Sequence, residues 1–255
     1  MKTNKWIILL LIVFCRCAND RMVVKENEFN LTISPGACFP EVGDKYIYPQ
    51  TEGPWELDWP TENPYDKFCQ LPDEVLKSIS TPGLIDALIH APYFTGFYNL
   101  SSASSALKWH GHYQRFNSAR ELFQRKDASD ALVAYFNLVN FNCVSSPFCY
   151  SGDFERIIGL QCLFVKKEIL DQMGHEKKKE AVVRLLANYE QYPENWDSMV
   201  VMLHIMYADE YEPLIRYALE NDSMFQHILI GGDLFSSDPI DLFVSYTEDF
   251  INDKK

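Results

Sequence analysis

The sequence has few basic residues. It carries 23 lysine and arginine residues against 36 aspartate and glutamate residues, which gives a formal net charge of −13. Nucleic acids and anionic membrane surfaces are bound by basic faces, so this composition argues against both as partners. The acidic charge favours solubility and is compatible with cationic ligands.

Recognisable catalytic motifs are also absent. The chain has no serine-nucleophile motif, no glycine-rich phosphate loop and no calcium loop. His175-Glu176 does not open a zinc-binding HExxH motif, because Lys179 stands where the second histidine belongs. The sequence therefore indicates no cofactor, and it favours a binding or structural protein over an enzyme.

Long apolar runs are missing too, with one short exception at the N-terminus. Two lysines precede an apolar run from Trp6 to Phe14, about nine residues against the roughly 20 that a membrane-spanning helix needs. Basic residues, a short apolar run and a boundary near Cys17 are the three parts of an export signal. We predict a signal peptide over residues 1–17, with an uncleaved anchor as the alternative.

The cysteines at the end of this run suggest a bacterial lipoprotein signal, in which a cysteine becomes the lipidated first residue. Cys17 is the better candidate because a polar segment follows it, and Cys15 is the second. Such signals normally place a small residue before the cysteine, whereas Arg16 and Phe14 stand there. Ordinary cleavage after Cys17 is therefore the alternative. Removal of residues 1–17 takes away three cations and no anion, so the formal charge changes from −13 to −16.

Export changes how the remaining cysteines are interpreted, because disulfides persist outside the cytosol. Five cysteines follow Cys17, and none of them has the CxxC or cysteine–histidine spacing of a zinc site. Cys143 and Cys149 flank a short loop between two predicted helices, which makes them the best candidates for a disulfide. The alternative is that they are small buried hydrophobic residues.

Two segments precede the predicted helical body. Residues 18–37 are polar and weakly patterned, which is typical of a flexible tether. Residues 38–70 are rich in proline and aromatic residues, and prolines this closely spaced exclude a long helix. We expect an extended arm whose rings pack on the body. The alternative is that Trp55 and Trp59 form a platform for a sugar or a peptide.

From residue 71 to residue 255 the apolar pattern predicts helices in succession. In residues 128–139 apolar side chains recur at spacings of three and four, as on a helix buried on one face. Residues 196–207 are apolar all round, which is typical of a central helix. Short turns favour antiparallel neighbours, so the predicted fold is all-α, either a compact irregular multi-helix bundle or a short helical solenoid.

Local signals predict where some of these helices begin and end. Ser118, followed three residues later by Glu121, matches a capping box at a helix start. Asp127 is predicted to cap the next helix. Asp153 is predicted to start a long helix that ends at Gly174, a typical C-terminal glycine.

His110 and His112 are the most ligand-like pair in the chain. On a loop two such imidazoles can share a metal, but on a helix they point about 200° apart. No third ligand can be placed beside them from the sequence. They are weak metal candidates, and a surface or hydrogen-bonded pair of histidines is the favoured alternative.

Two stretches of the chain resemble a known group of proteins. Residues 71–94, LPDEVLKSISTPGLIDALIHAPYF, and residues 115–132, RFNSARELFQRKDASDAL, resemble uncharacterised exported or lipid-anchored proteins of Bacteroides-type bacteria. The resemblance covers about a quarter of the chain, and its motifs are structural. It implies export, a helical fold and a bacterial origin, and it implies no activity.

Together these observations lead to a functional expectation. We expect an exported protein, either an outer-membrane lipoprotein or a soluble periplasmic protein, that binds a protein or glycan of the cell envelope or serves as a structural component. Its contact with the membrane is expected through a lipid anchor only, and no contact with nucleic acid is expected. The alternative is a hydrolase acting on envelope or other polymers, with active-site residues scattered through the fold.

Overall fold

Most of the described part of the chain is helical. The computed structural model describes residues 28–49, 68–92, 94, 113–143, 152–193, 196–221, 225 and 239–253. These residues contain ten α-helices and no strand, which confirms the predicted all-α fold. In chain order the helices are α1 (Asp73–Ser78), α2 (Thr81–Ile89), α3 (Asn117–Leu122), α4 (Ala128–Asn137), α5 (Gly152–Leu163), α6 (Lys167–Leu170), α7 (His175–Gln191), α8 (Trp196–Ala208), α9 (Glu212–Glu220) and α10 (Ile240–Asn252). A short 3₁₀ helix (Phe141–Cys143) follows α4.

Helix α2 is buried along its whole length. Ser80 is its N-cap, and the Ser80 hydroxyl accepts a hydrogen bond from the backbone N–H of Gly83 at 3.1 Å. Pro82 suits the first turn, where its missing N–H leaves no hydrogen bond unmade. Because α2 packs against α3, α4 and α5, it lies between other helices and has no solvent face.

Helix α4 has the predicted buried face. It packs against α2, α6 and α7. The apolar residues expected on that face are all fully buried, including one that follows the helix: Ala128, Ala131, Leu132, Tyr135, Phe136 and Val139. The three- and four-residue spacing of the sequence is therefore confirmed as a packing surface.

Helix α8 is central, as its all-round apolar character predicts. It packs against α5, α7, α9 and α10. Its buried apolar residues are Met199, Val200, Val201, Met202, Leu203, Ile205 and Met206. Apolar residues on every side of one helix are stable only when neighbours cover every side, and here four helices do so.

The longest described helix, α7, has 17 residues. Its inner side buries Ala181, Val182 and Leu185, whereas Val183 is exposed. Among the described helices, none combines the length and the apolar character needed to cross a membrane.

One predicted helix is divided in two. Residues 153–174 were expected to form a single helix, but α5 ends at Leu163 and the short α6 follows. Phe164 and Val165 are buried in the break, so tertiary packing ends α5 where no local stop signal is present. Gly174 is the N-cap of α7, with an extended backbone, and not the C-terminal glycine that was predicted.

Of the two predicted capping residues, Asp127 stands at the predicted position and Ser118 does not, and neither side chain caps its helix. Ser118 is the second residue of α3, and its buried side chain caps nothing. Glu121 instead pairs with Arg125, with the Nε–Oε1 distance at 3.0 Å. Asp127 occupies the N-cap position of α4, but its carboxylate accepts a hydrogen bond from Thr81 Oγ1 at 2.8 Å. The Asp127 carboxylate thus contacts α2, a tertiary contact that local sequence patterns do not encode.

Residues 31–37, which were predicted to be part of a flexible tether, are folded. The compact unit that contains the described helices begins at Leu31, and Leu31 itself is buried. Thr32 and Glu41 form an isolated antiparallel bridge, with N···O distances of 3.3 and 2.6 Å. Residues 31–37 therefore belong to the folded unit.

Candidate functional site

Residues 31–49, which we call the strap, carry the side chains that complete the first candidate site. A turn with Gly36 at a φ of +82° reverses the strap after its first residues. Cys38 then forms a disulfide with Cys143, across 105 residues of sequence. Beside it the backbone N–H of Asn140 donates to the Cys38 carbonyl at 2.9 Å, and the Asn140 side chain donates to the Ala37 carbonyl at 3.2 Å. One part of the strap is thus fixed to the segment that follows α4.

Asp44 fixes the strap a second time, at the N-terminus of α2. Its carboxylate accepts hydrogen bonds from the Ser80 backbone N–H at 2.5 Å and from the Ser80 hydroxyl at 2.8 Å. A negative charge at this end of a helix is favoured by the helix dipole. Gly83 makes the approach possible, because a Cβ at this position would lie 2.6 Å from Asp44 Oδ1.

Directly after Asp44 the strap approaches Asp86, a carboxylate of α2 that is 0% exposed. Asp86 Oδ1 accepts a hydrogen bond from the Tyr135 hydroxyl of α4 at 3.0 Å. His90 Nδ1 lies 3.3 Å from the same oxygen and 2.9 Å from the Asp86 backbone carbonyl. Lys45 of the strap places its ammonium 3.8 Å from Asp86 Oδ2. Three elements therefore meet at one buried charge.

The main effect of this geometry is to change the pKa of Tyr135, and it does not make Asp86 reactive. Burial raises the pKa of Tyr135 well above its usual value, and the charge of Asp86 and the hydrogen bond to it raise it further. Tyr135 therefore stays protonated and acts as a hydrogen-bond donor. Because Asp86 has no exposed surface, it cannot contact a polymeric substrate, and the arrangement suits holding the strap on α2 and α4.

Lys166, in the bend between α5 and α6, is the second candidate functional site. The residue is 5% exposed, and its ammonium lies 4.3 Å from the centre of the Tyr113 ring, a cation–π distance. Burial lowers the pKa of Lys166 to about 8, although Cys162 and Glu168 oppose the shift. A lysine with such a pKa is partly neutral near physiological pH and can act as a base or a nucleophile.

The groups near Lys166 are buried as well. Burial raises the pKa of Cys162 far above the ordinary thiol value, and the neighbouring Asp197 adds to the effect, so this thiol is inert at neutral pH. Beside them runs a hydrogen-bonded chain in which Asn188 donates to the Ser198 hydroxyl at 3.0 Å. Ser198 in turn donates to Gln161 Oε1 at 3.1 Å. This chain joins α7, α8 and α5.

A third polar cluster connects the start of α7 to the end of α8. His175 Nδ1 lies 2.6 Å from Asp209 Oδ2, and Lys178 Nζ lies 3.3 Å from Asp209 Oδ1 and donates to the Ala208 carbonyl at 3.0 Å. Burial by itself raises the pKa of Asp209, but the hydrogen bonds and charges of His175 and Lys178 outweigh it and hold the pKa below the ordinary value. The cluster fixes two helix ends together.

The predicted disulfide partner of Cys143 was wrong. Cys143 bonds to Cys38, whose Cα lies 5.2 Å away, and a cysteine forms only one such bond, so Cys143 and Cys149 are not a pair. The loop between Cys143 and Cys149 suggested the pairing because it is short, but the folded strap brings Cys38 to the same place. Cys69 and Cys162 are buried.

The other residues singled out from the sequence lie outside the described ranges. They are the lipidation candidates Cys15 and Cys17, the weak metal candidates His110 and His112, the aromatic pair Trp55 and Trp59, and Cys149. Within the described ranges, no group of three or more histidine, cysteine, aspartate or glutamate side chains is arranged to hold a metal ion.

Asp86 and Lys166 were missed by the sequence interpretation, although one of them had a signal. Asp86 is the single charged residue in the otherwise apolar segment from Gly83 to Ile89, and a buried charge is retained only with partners. Lys166 stands next to Lys167 in a segment of mixed charge, so nothing local distinguishes the buried lysine from the exposed one.

In comparisons with protein-family models, curated proteins and solved structures, nothing matches this chain.

Proposed function

We propose that the protein is exported and attached to the cell envelope through a lipid on Cys17, or on Cys15, and that it is a binding or structural protein. Its partner would be a protein or a glycan of the envelope. The observation that carries this proposal is the disulfide between Cys38 and Cys143. The short apolar run after two N-terminal lysines supports it independently.

The disulfide supports export because it helps to hold the strap in place. Structural disulfides are rare in reducing compartments and common outside them. This one joins the strap to the segment after α4, and the Asn140 hydrogen bonds to Ala37 and Cys38 lie directly beside it. A chain that folded in the cytosol would hold its strap without this bond, so the bridge suits an oxidising environment.

The polar clusters support a binding or structural role over catalysis. Asp86 connects the strap, α2 and α4, and Asp209 connects α7 to the end of α8. In both clusters the carboxylate is engaged by side chains of the protein and is almost entirely enclosed. Such groups stabilise a scaffold, whereas a catalytic carboxylate has to reach its substrate.

The test combines localisation with the mass of the protein from its native source. We expect the protein in the membrane fraction, with a mass that shows a diacyl or triacyl adduct at the N-terminus. A Cys17→Ser variant should lose the adduct and a Cys15→Ser variant should keep it; the reverse result would place the lipid on Cys15. An unmodified N-terminus in the soluble periplasmic fraction would remove the anchor from the proposal, and recovery from the cytosol would refute export.

The second candidate function is a hydrolase acting on envelope or other polymers. Its supporting observation is the lowered pKa of Lys166, and the 5% exposure of this lysine counts against direct contact with a polymer. A buried amine with a pKa of about 8 can accept a proton during catalysis. If the protein hydrolyses any polymer in a substrate screen, Lys166→Met should abolish the activity. The control is Lys167→Met, because the neighbouring Lys167 is exposed and pairs only with Asp171 on the surface. Equal activity in both variants would reject Lys166 as the catalytic base.

A further inference from the structure

Residues 31–42, which we call the hairpin, form the first part of the strap. Thr32 and Glu41 pair their backbones in the antiparallel bridge, and the turn at Gly36 lies between them. The Ser34 hydroxyl adds a hydrogen bond to the Glu41 carboxylate at 2.5 Å. A two-stranded hairpin by itself is marginally stable in water. The hairpin therefore keeps its place and its shape only while the rest of the protein holds it.

The hairpin and the rest of the strap are attached at separate places. The disulfide between Cys38 and Cys143 holds the hairpin, whereas the hydrogen bonds of Asp44 with Ser80 hold the strap at the start of α2. Gly43 lies in a turn between these attachments, and nothing lies within 4 Å of the position that a Cβ would take there. The chain can therefore pivot at Gly43 while Asp44 stays in place.

The disulfide is within reach of a reductant. Cys38 and Cys143 are each partly exposed, whereas Cys69 and Cys162 are buried. Exposed disulfides are more easily reduced than enclosed ones. A dithiol, either a protein or a small molecule, would form a mixed disulfide with one sulfur and then close its own disulfide. The Cys38–Cys143 bond breaks, both cysteines become thiols, and two electrons and two protons pass from the reductant to the protein.

After reduction the hairpin would depend on noncovalent contacts. Leu31, Phe39 and Val42 are buried, and the Phe39 ring packs edge-on against His90 with 5.4 Å between the ring centres. Asn140 donates two hydrogen bonds to the hairpin backbone. Every ordered residue loses conformational entropy, and the cost per residue is close to what one neutral hydrogen bond contributes. Contacts of this kind oppose the entropy of twelve residues, so the disulfide decides whether the hairpin stays attached.

We propose that the Cys38–Cys143 disulfide is a reducible latch on the strap. Its reduction releases the hairpin from the segment after α4, whereas Asp44 stays bound at the start of α2. The chain then leaves the helical unit at Asp44 and no longer at Leu31. On the lipid anchor of the proposed function, on which this consequence rests, residues 31–43 would lengthen the tether by up to about 45 Å. The redox state of the envelope would thus set how far the protein reaches from the membrane.

The first test is hydrogen–deuterium exchange of the purified protein, oxidised and in dithiothreitol, followed by mass spectrometry of its peptides. After reduction, exchange in residues 31–42 should become faster by about tenfold or more, while exchange in α8 stays unchanged. Alkylation followed by peptide mapping confirms that Cys38 and Cys143 were reduced. Unchanged exchange in the hairpin would overturn the proposal. Faster exchange throughout α8 would also overturn it, because the disulfide would then hold the whole fold.

Two variants separate the attachments. Cys38→Ser/Cys143→Ser should show fast exchange in the hairpin without any reductant, and dithiothreitol should change nothing further. Asp44→Ala, kept oxidised, should speed exchange in residues 44–49 and leave the hairpin slow, because its disulfide is intact. Equal loosening of the hairpin in oxidised Asp44→Ala would show that the two attachments are not separate, and the pivot at Gly43 would be wrong.

The second test measures the reach of the lipid-bearing protein by neutron reflectometry on a supported bilayer. Reduction should increase the distance between the bilayer and the protein layer, and the double cysteine variant should show the increase without reductant. An unchanged distance together with fast hairpin exchange would refute the longer tether. A protein that does not bind the bilayer would refute the lipid anchor of the proposed function, and the exchange measurement would still decide whether the disulfide is a latch.

Discussion

Removing the Cys38–Cys143 disulfide should be the most damaging conservative change in this protein. The bond closes a loop with a sequence separation of 105 residues. In the loop-entropy model, such a cross-link destabilises the unfolded chain by about 4.7 kcal/mol at 25 °C, and measured losses for native disulfides run to about 2–5 kcal/mol. Because a typical domain is stable by only about 5–15 kcal/mol, the loss is a large share of the total.

The perturbation is the double variant Cys38→Ser/Cys143→Ser. A single substitution would leave one thiol free to pair with another cysteine, so both are replaced. Urea unfolding followed by far-ultraviolet circular dichroism gives the free energy of unfolding of each form. We expect the double variant to lose about 2–5 kcal/mol, and the natural sequence to lose a similar amount in dithiothreitol.

The control is the double variant in the same reductant. Dithiothreitol should leave its free energy of unfolding unchanged, because the bridge that it reduces is gone. A loss below about 1 kcal/mol in the double variant would refute the argument from loop length, since it would mean that residual structure already restrains the unfolded chain without the bond. A second loss on adding reductant to the variant would point to another disulfide in the chain.

Three further predictions address the other contacts. Gly83→Ala should lower the free energy of unfolding by about 1–3 kcal/mol, because its Cβ would lie 2.6 Å from two neighbouring side chains; Gly43→Ala, with nothing within 4 Å, is the control and should change it little. Tyr135→Phe should cost about 1–3 kcal/mol in urea unfolding because it takes a hydrogen bond from the buried Asp86, and an unchanged midpoint would show that the bond adds nothing. The pKa of Asp209 is lower in the folded than in the unfolded protein, so its stabilising effect is complete above the unfolded value of about 3.9 and is lost as the pH falls through the folded value. Asp209→Asn should therefore be less stable at pH 7 with a deficit that shrinks below about pH 4, and a deficit independent of pH would contradict this account.

Elements whose signal is periodic were predicted well. The apolar spacing of residues 128–139 identified the buried face of α4, and the all-round apolar character of α8 identified a central helix. Both signals work because a helix places residues three and four apart on one side, whatever the rest of the chain does. Helix ends were predicted less well. Phe164 is buried where α5 ends, and Asp127 binds Thr81 instead of capping its own helix.

The candidate site could not be predicted in the same way. Asp86 stands out in its apolar segment, but its partners Lys45 and Tyr135 are 41 and 49 residues away in the sequence. A lone acidic residue in a buried apolar segment indicates that it has partners, but it does not show which residues they are. The sequence around Lys166 did not indicate its burial, because that burial depends on helices packed around the bend between α5 and α6.

The sequence by itself determined the helical class, the buried faces of the main helices, and the acidic charge that disfavours nucleic acid. These are consequences of composition and of spacing over a few residues. Only the tertiary structure decided that Cys143 pairs with Cys38, and that Lys45 of the strap and Tyr135 of α4 both reach Asp86. The physical reason is distance along the chain. Contacts between residues so far apart depend on how the helices pack, and no local sequence pattern encodes this packing.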